Sequence, residues 1–216
     1  MPEHPLLAAL RGLAPAGAGI GWADPRVDHA LMPGESLAGP VPARRREFSA
    51  GRVAARMAMA AIGLPAQALP MGGDRAPIWP AGVTGSITHS PTACLAVVLP
   101  AGSWRGIGID LEPDTPLTPD LWGTILRPEE LAVLHQAPEA QRARRAKLVF
   151  SAKEAAYKAQ YPVSRTLFGF EAMAVTLGPD GFSATFCTDI APFIRGDRIN
   201  GRIATVADHI LTLAFL

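Results

Sequence analysis

Residues 42–62 repeat at helical spacing, with Phe48, Arg52, Ala55 and Met59 on one stripe and Gly63 as a stop, so they predict a helix. A Gly-rich strand, GAGIGWA at 17–23, is expected before it, and a Gly- and Pro-rich loop, MGGDRAPIWPAGVTG, after it. Two apolar runs, CLAVVLP and WRGIGIDLE, are joined by the turn-like PAGS and together predict a hairpin. PDTPLTPD, residues 113–120, cannot continue a central strand and reads as a linker. Beyond it, 138–160 predicts one long helix that Pro162 ends. AMAVTL, FSATFC, RIATV and HILTLAFL then read as strands, the first two separated by the turn GPDG. Each half is expected to be a helix plus an antiparallel sheet, an α+β chain.

Within this pattern the stretch GIGIDLEP, 106–113, is unusual. Successive strand side chains point to opposite faces, so Ile107, Ile109 and Leu111 share one face while Gly106, Gly108, Asp110 and Glu112 share the other. One face is apolar; the other is an empty lane ending in two acids. Like charges that close raise each other's pKa unless a cation sits beside them, so a positive group is expected there.

Composition adds bounds. At 216 residues, 49% hydrophobic and 18% charged, the chain buries a core as one large or two small domains, and a net charge of +1 gives no global reason to expect nucleic acid or an anionic membrane. No stretch approaches the roughly 20 apolar residues that span a bilayer, and MPEHPLLAAL has no basic region ahead of its apolar run, so a cytoplasmic protein is expected. Cys94 and Cys187 lie far apart in apolar runs, which favours buried free thiols over a disulfide or a zinc site. The chain has 17 arginines and three lysines, and Lys147, Lys153 and Lys158 all fall in one segment. A compact ammonium on a flexible stem is kept in that one place.

That segment holds FSAKEAAYK, which puts Phe150, Glu154 and Lys158 on one helix stripe with Lys153 beside it, while Ala152, Ala155, Ala156 and Ala159 keep the packing side thin. Ser151 and Glu154 also match a capping box, although the helical pattern begins well before Ser151. GSITHS, 85–90, is a small polar run before a strand, and a lone His there is by default a structural residue. A third acid, Glu154, beside Asp110 and Glu112 would complete an oxygen cage for a hard cation such as Mg²⁺.

GSITHS, GIGIDLEP and FSAKEAAYKAQYP, in this order and spacing, resemble the 4'-phosphopantetheinyl transferases, in particular the larger two-lobed type and its enterobactin-synthetase-component-D-like branch. RREFSAGRVAAR, 45–56, and GDRAPIWPAG fit the same branch, and the likeness covers about residues 44–162. Phe150 stands where other branches carry Trp, and Thr88 where many carry Ser.

The resemblance implies two pseudo-duplicated lobes, residues 1–112 and 121–216 joined by the linker 113–120, each a long helix on a small antiparallel sheet, with the active site in the cleft between them. It implies transfer of the phosphopantetheine arm of coenzyme A to a serine of an apo acyl or peptidyl carrier protein, in a siderophore or other secondary-metabolite pathway, with release of adenosine 3',5'-bisphosphate. Asp110, Glu112 and Glu154 would hold Mg²⁺, with Mn²⁺ as the alternative ion, and Glu154 would be the base. Lys153, Lys158 and His89 would neutralise the pyrophosphate. Arg52 and Arg75 would face the 3'-phosphate, and Pro77 and Thr88 would shape the nucleotide end. The Arg44–Arg46 run reads first as a solvated helix face, phosphate being the group Arg45 or Arg46 would meet. RARRAK, 142–147, reads by default as a helix face in water and otherwise as a carrier-docking patch. Trp22, Trp79, Trp104 and Trp122 are expected in core or lobe-interface packing, with Trp79 nearest the cofactor loop.

A monomer without nucleic-acid or membrane partners is expected. The rival functions are a non-catalytic module that binds coenzyme A or a carrier protein, and another Mg²⁺-dependent phosphate-ester or nucleotide hydrolase. The G-x-S-x-G elbow and the P-loop are both absent from the chain.

Overall fold

Glycines on short strands set the architecture of both halves of the chain. The protein is described here by a computed structural model, which covers residues 3–37, 39, 41–179 and 181–216. It divides into two compact units, residues 1–107 and 108–216.

In the first unit, helix α1 (Pro5–Leu13) leads to strand β1 (Gly19–Ala23), helix α2 (Pro42–Ala61) and strands β2 (Val83–His89) and β3 (Cys94–Pro100). The sheet order is β1-β3-β2, with antiparallel pairs that align Ile20 with Val97 and Ile87 with Ala96. A Cβ on Gly19 would overlap the carbonyl oxygen of Ala58, and one on Gly21 that of Ala54. The bare strand therefore lets the α2 backbone approach directly, and Ala50, Ala54, Ala55 and Ala58 are buried in the seam. GSITHS, expected as a polar run ahead of a strand, is itself strand through His89. Its register with β3 extends from Val83 to His89, and backbone pairing rather than polarity decides its conformation.

In the second unit, strand β4 (Ile107–Pro113) precedes a short 3₁₀ turn, helices α3 (Trp122–Ile125), α4 (Pro128–Gln136) and α5 (Glu139–Ser164), and strands β5 (Met173–Gly178), β6 (Gly181–Phe186), β7 (Arg198–Val206) and β8 (His209–Phe215). The sheet order is β4-β8-β7-β6-β5. Here too a glycine strand meets a helix: a Cβ on Gly108 would overlap the carbonyl oxygen of Ala155. The empty lane of GIGIDLEP is filled by the α5 backbone, and Ala152, Ala155, Ala156 and Ala159 are fully buried. The two units share one plan. A glycine strand is followed by the long helix, and the last strand of the unit returns to lie beside the first.

Several expectations change. The hairpin of CLAVVLP with WRGIGIDLE does not form, because β3 is hydrogen-bonded on both sides by β1 and β2, and β4 joins the other sheet beside β8. The boundary consequently falls between Ile107 and Gly108, which puts Asp110 and Glu112 in the second unit rather than at the end of the first. PDTPLTPD is no free linker. Leu117 is buried and its N–H bonds to Ala143 O at 3.1 Å, while Asp114 takes Arg144 in a two-pronged pair at 2.8 and 2.9 Å. Helix α5 continues past Pro162 to Ser164, where Arg165 in the left-handed conformation (φ 54°) closes it. So near the end, proline removes only the hydrogen bond its own N–H would have made. Asp180 of the GPDG turn lies outside the described residues.

Candidate active site

Lys147, Ser151, Glu154 and Lys158 recur along α5 at spacings of four, three and four, which places them on one face, and that face carries the chemistry. Lys158 Nζ donates to Asp110 Oδ1 at 2.7 Å and to Ile109 O at 3.2 Å. Lys147 Nζ donates to Glu112 Oε2 at 2.9 Å. The positive groups expected beside the paired acids are thus two lysines of the segment in which all three lysines cluster. Ser151 Oγ donates to Asp110 Oδ2 at 2.9 Å, which anchors the other carboxylate oxygen.

Glu154 completes the electrostatics. Burial pushes its carboxyl above the usual range, Lys158 pulls it back, and the negative charges of Asp110 and Glu112 push it up again. The three acids therefore share one field. Burial acts to lower the Lys158 ammonium, but Asp110, Glu154 and Glu112 outweigh it and hold the group above its ordinary value. Lys158 stays charged at neutral pH. Among the described residues, no group of three or more His, Cys, Asp or Glu side chains is gathered as a ready-made metal cage; Asp110 and Glu112 are held by lysines instead. The donor set is all carboxylate oxygen, which suits a hard divalent ion, and the raised Glu154 carboxyl marks a place where added positive charge is favourable.

Lys153 behaves differently from its assignment to the pyrophosphate. Its side chain is 2% exposed, and the ammonium donates to Glu130 Oε2 at 2.7 Å, Ile125 O at 2.8 Å and Phe170 O at 3.0 Å. Those three acceptors use all the hydrogens it has. The charged one of the three, Glu130, was not singled out from sequence. Glu130 accepts from the Arg127 N–H at the start of α4 and from the Val175 N–H of strand β5. The signal was present as a Glu three residues after the α4 N-cap, a capping position, but its reach to β5 and Lys153 is tertiary. Three of the four basic residues of RARRAK have internal partners: Arg142 donates to Ala137 O and His135 O, Arg144 binds Asp114, and Lys147 binds Glu112, while Arg145 is exposed, as a helix face in water would be.

Beside Glu154 lies a cavity of about 120 Å³ lined by Lys153, Glu154, Tyr157, Phe168, Phe170 and Met173. Tyr157 meets Phe168 edge-on with ring centroids 5.1 Å apart, and Phe150 meets Phe170 at 5.7 Å, so the aromatic lining is mutually braced.

The remaining predicted residues belong to the first unit. His89 ends β2, and its Nε2 is 2.7 Å from Arg44 Nη1 and 3.9 Å from Glu47 Oε2. With Arg44 donating, Nε2 is the acceptor of a neutral imidazole. Thr88 is buried on β2 opposite Leu95. Arg45 is exposed in the first turn of α2. Arg75 is exposed in the left-handed conformation (φ 68°) at the tip of a turn that Met71 and half-buried Pro77 close. Arg52 is mainly structural. It is buried, donates through Nε to Leu69 O at 3.0 Å and lies 4.0 Å over the Phe48 ring, and burial lowers it to about 10. Its Nη2 is also buried and meets no acceptor among the described residues. Trp79 packs on the α2 core and touches Gly85, and Trp122 packs on the second core while its Nε1 donates to Leu117 O. Both cysteines are free; Cys94 is buried as expected, whereas Cys187 is only half-buried.

Two sequence profiles match: the 4'-phosphopantetheinyl transferase N-terminal domain over residues 33–99 and the 4'-phosphopantetheinyl transferase superfamily over residues 106–214. The chain belongs to the 4'-phosphopantetheinyl transferase superfamily, as the motifs led one to expect. It is 38% identical over 148 residues to the 4'-phosphopantetheinyl transferase Npt of Nocardia iowensis, covering 68% of this chain and 66% of that protein. It is 35% identical over 180 residues to the 4'-phosphopantetheinyl transferase Svp of Streptomyces mobaraensis, covering 79% and 71%. With the enterobactin synthase component D of Salmonella typhimurium it shares 38% over 136 residues, covering 62% and 55%. The branch suggested by the residues is therefore among its relatives. Among the described residues, no helix is long and apolar enough to cross a membrane.

Proposed function

We propose that this protein transfers the 4'-phosphopantetheine arm of coenzyme A to a serine hydroxyl of an apo carrier protein, leaving adenosine 3',5'-bisphosphate. The observation that carries the proposal is the shared field of Asp110, Glu112, Glu154 and Lys158, built on the motif pair that family members carry. The relatives named as 4'-phosphopantetheinyl transferases support it.

Asp110, Glu112 and Glu154 would hold Mg²⁺, which when bound supplies charge neutralisation to the diphosphate. The serine oxygen forms a bond to the β-phosphorus of coenzyme A as the bond from that phosphorus to the bridging oxygen breaks, and the electron pair leaves with the nucleotide. Glu154 takes the serine proton, directly or through water. A carboxyl raised by burial is a stronger base than one in water, which suits this task. Lys158 stays protonated and offers a fixed positive charge beside Asp110. The cavity at Glu154 is apolar on most of its lining, a character that suits part of an uncharged alkyl-amide arm. In the first unit, the buried Nη2 of Arg52 is a donor with no acceptor among the described residues, the condition that an anionic nucleotide end would relieve. His89, Arg45 and Arg75 complete the phosphate-facing set proposed there, with Pro77 and Thr88 shaping its walls. A cytoplasmic monomer belongs to the same proposal.

Incubating the protein with an apo carrier, coenzyme A and Mg²⁺, then weighing the intact carrier, tests the reading. The carrier is expected to gain one phosphopantetheine mass. Coenzyme A cleaved without carrier modification would favour the hydrolase alternative, and binding without either change would favour the non-catalytic one.

A further inference from the structure

Ser151 looks in sequence like a helix cap, yet it lies in the interior of α5, where a serine hydroxyl ordinarily returns to a carbonyl of its own helix. Here it leaves the helix for strand β4. We propose that Ser151 and Thr212 form a buried relay that sets the plane of the Asp110 carboxylate, and that both are positioning residues for the divalent-ion site. This rests on the reading of Asp110 as a metal ligand given above.

The direction of the relay follows from counting hydrogens. Ser151 Oγ is 2.9 Å from Asp110 Oδ2, and a carboxylate can only accept, so the serine hydrogen goes to Asp110. Thr212 Oγ1 lies 2.9 Å from Ser151 Oγ and 2.9 Å from Ser151 O. With the serine hydrogen committed, the single threonine hydrogen points at Ser151, donated to its carbonyl oxygen and shared with its Oγ. The order Thr212 to Ser151 to Asp110 therefore runs one way. It links a residue of β8 to one of α5 and then to one of β4, and all three are buried, with Ser151 and Thr212 at 0% exposure and Asp110 at 5%. Lys158 Nζ holds the opposite carboxylate oxygen. With a donor on each oxygen, the carboxylate cannot turn about its final bond without breaking a buried hydrogen bond. Of the two donors, Lys158 is an ammonium on a long flexible stem. Ser151 is the short, fully buried one, and Thr212 holds it in its rotamer. Partners behind metal ligands typically change metal affinity or activity by 10- to 100-fold when removed.

The test uses the full chain loaded with coenzyme A, into which Mg²⁺ is titrated calorimetrically, alongside the Mg²⁺ dependence of carrier modification and thermal unfolding. Ser151→Ala and Thr212→Val are expected to raise the Mg²⁺ dissociation constant on the order of 10-fold and to shift the Mg²⁺ requirement of transfer equally, while Thr212→Ser, which keeps the hydroxyl, retains the wild-type value. Should Ser151→Ala fail to fold, Thr212→Val, which keeps the threonine shape, carries the test. Variants that lose thermal stability but bind Mg²⁺ as tightly as wild type overturn the relay while the transferase reading stands. A wild-type protein that neither binds Mg²⁺ nor modifies any carrier overturns the transferase reading, and the relay with it.

Discussion

A Cβ atom on Gly108 would overlap the carbonyl oxygen of Ala155 and come within 2.5 Å of the Ala159 amide nitrogen. Both neighbours are helix backbone, which cannot rotate away as a side chain can. Gly108→Ala is therefore expected to cost about 3 kcal/mol or more, read as a lowered urea midpoint. Gly21→Ala meets Ala54 and Ala58 backbone in the same manner and should behave alike. Gly123→Ala is the control: nothing lies within 4 Å of its added carbon, and it sits in helix α3, so its stability should be unchanged or slightly raised.

Two lysines five positions apart on α5 should separate stability from activity. Lys153→Met leaves Glu130 buried without its cation, a loss of about 3–5 kcal/mol, and frees the carbonyls of Ile125 and Phe170. Lys158→Met removes a partly exposed ammonium, whose side chain is 27% accessible, so its effect on unfolding is smaller. Its effect on carrier modification is expected to be the larger of the two once each variant is compared at equal folded fraction. Equal melting temperatures for the two variants would contradict this division.

The contrast between those lysines also marks where sequence reading reached. Lys158 and Glu154 were legible because they sit one helical turn apart in a dense motif, and Asp110 and Glu112 because strand alternation puts them on one face. The fate of Lys153 was not, since nothing in FSAKEAAYK reveals that Glu130, 23 residues earlier, waits for it. Strand pairing failed for the same reason. CLAVVLP and GIGIDLE are close in sequence and look like a hairpin, but β1, far upstream, had already taken the edge of β3, and β8, at the far end of the chain, supplied the partner for β4. Local periodicity identifies elements; long-range competition chooses their neighbours.

Cys94 should be chemically silent in the native protein. Burial raises its thiol to about 12, and the negative charge of Glu47 adds to the rise. At pH 8 an exposed-thiol reagent is expected to label Cys187 alone until the protein unfolds, as peptide mass mapping would report. The linkage has a definite sign: the folded pKa lies above the ordinary thiol value of 9.0, so stability from this group is complete below pH 9 and is lost as pH rises from 9.0 toward about 12. Cys94→Ala should show a shallower loss of stability across that window, and parallel curves would refute the assignment.

Glu154 is where activity and stability oppose each other. Its carboxyl is raised first by burial and further by Asp110 and Glu112, so without a divalent ion the ionised form is unfavourable in the native state. Because the folded pKa exceeds the ordinary carboxyl value of 4.5, the native protein holds an extra proton just above that pH, and stability rises as pH falls into that window. Glu154→Gln keeps the shape and removes the charge. Without divalent ions at pH 7 it is expected to be more stable than wild type by about 1 kcal/mol, with the gap closing as pH drops toward 5. Added Mg²⁺ should raise the melting temperature of wild type but not of the variant, and the variant should modify no carrier. A Glu154→Gln protein less stable than wild type in chelator would mean that the carboxylate is held by favourable partners, and the strained-acid account of the site would fail.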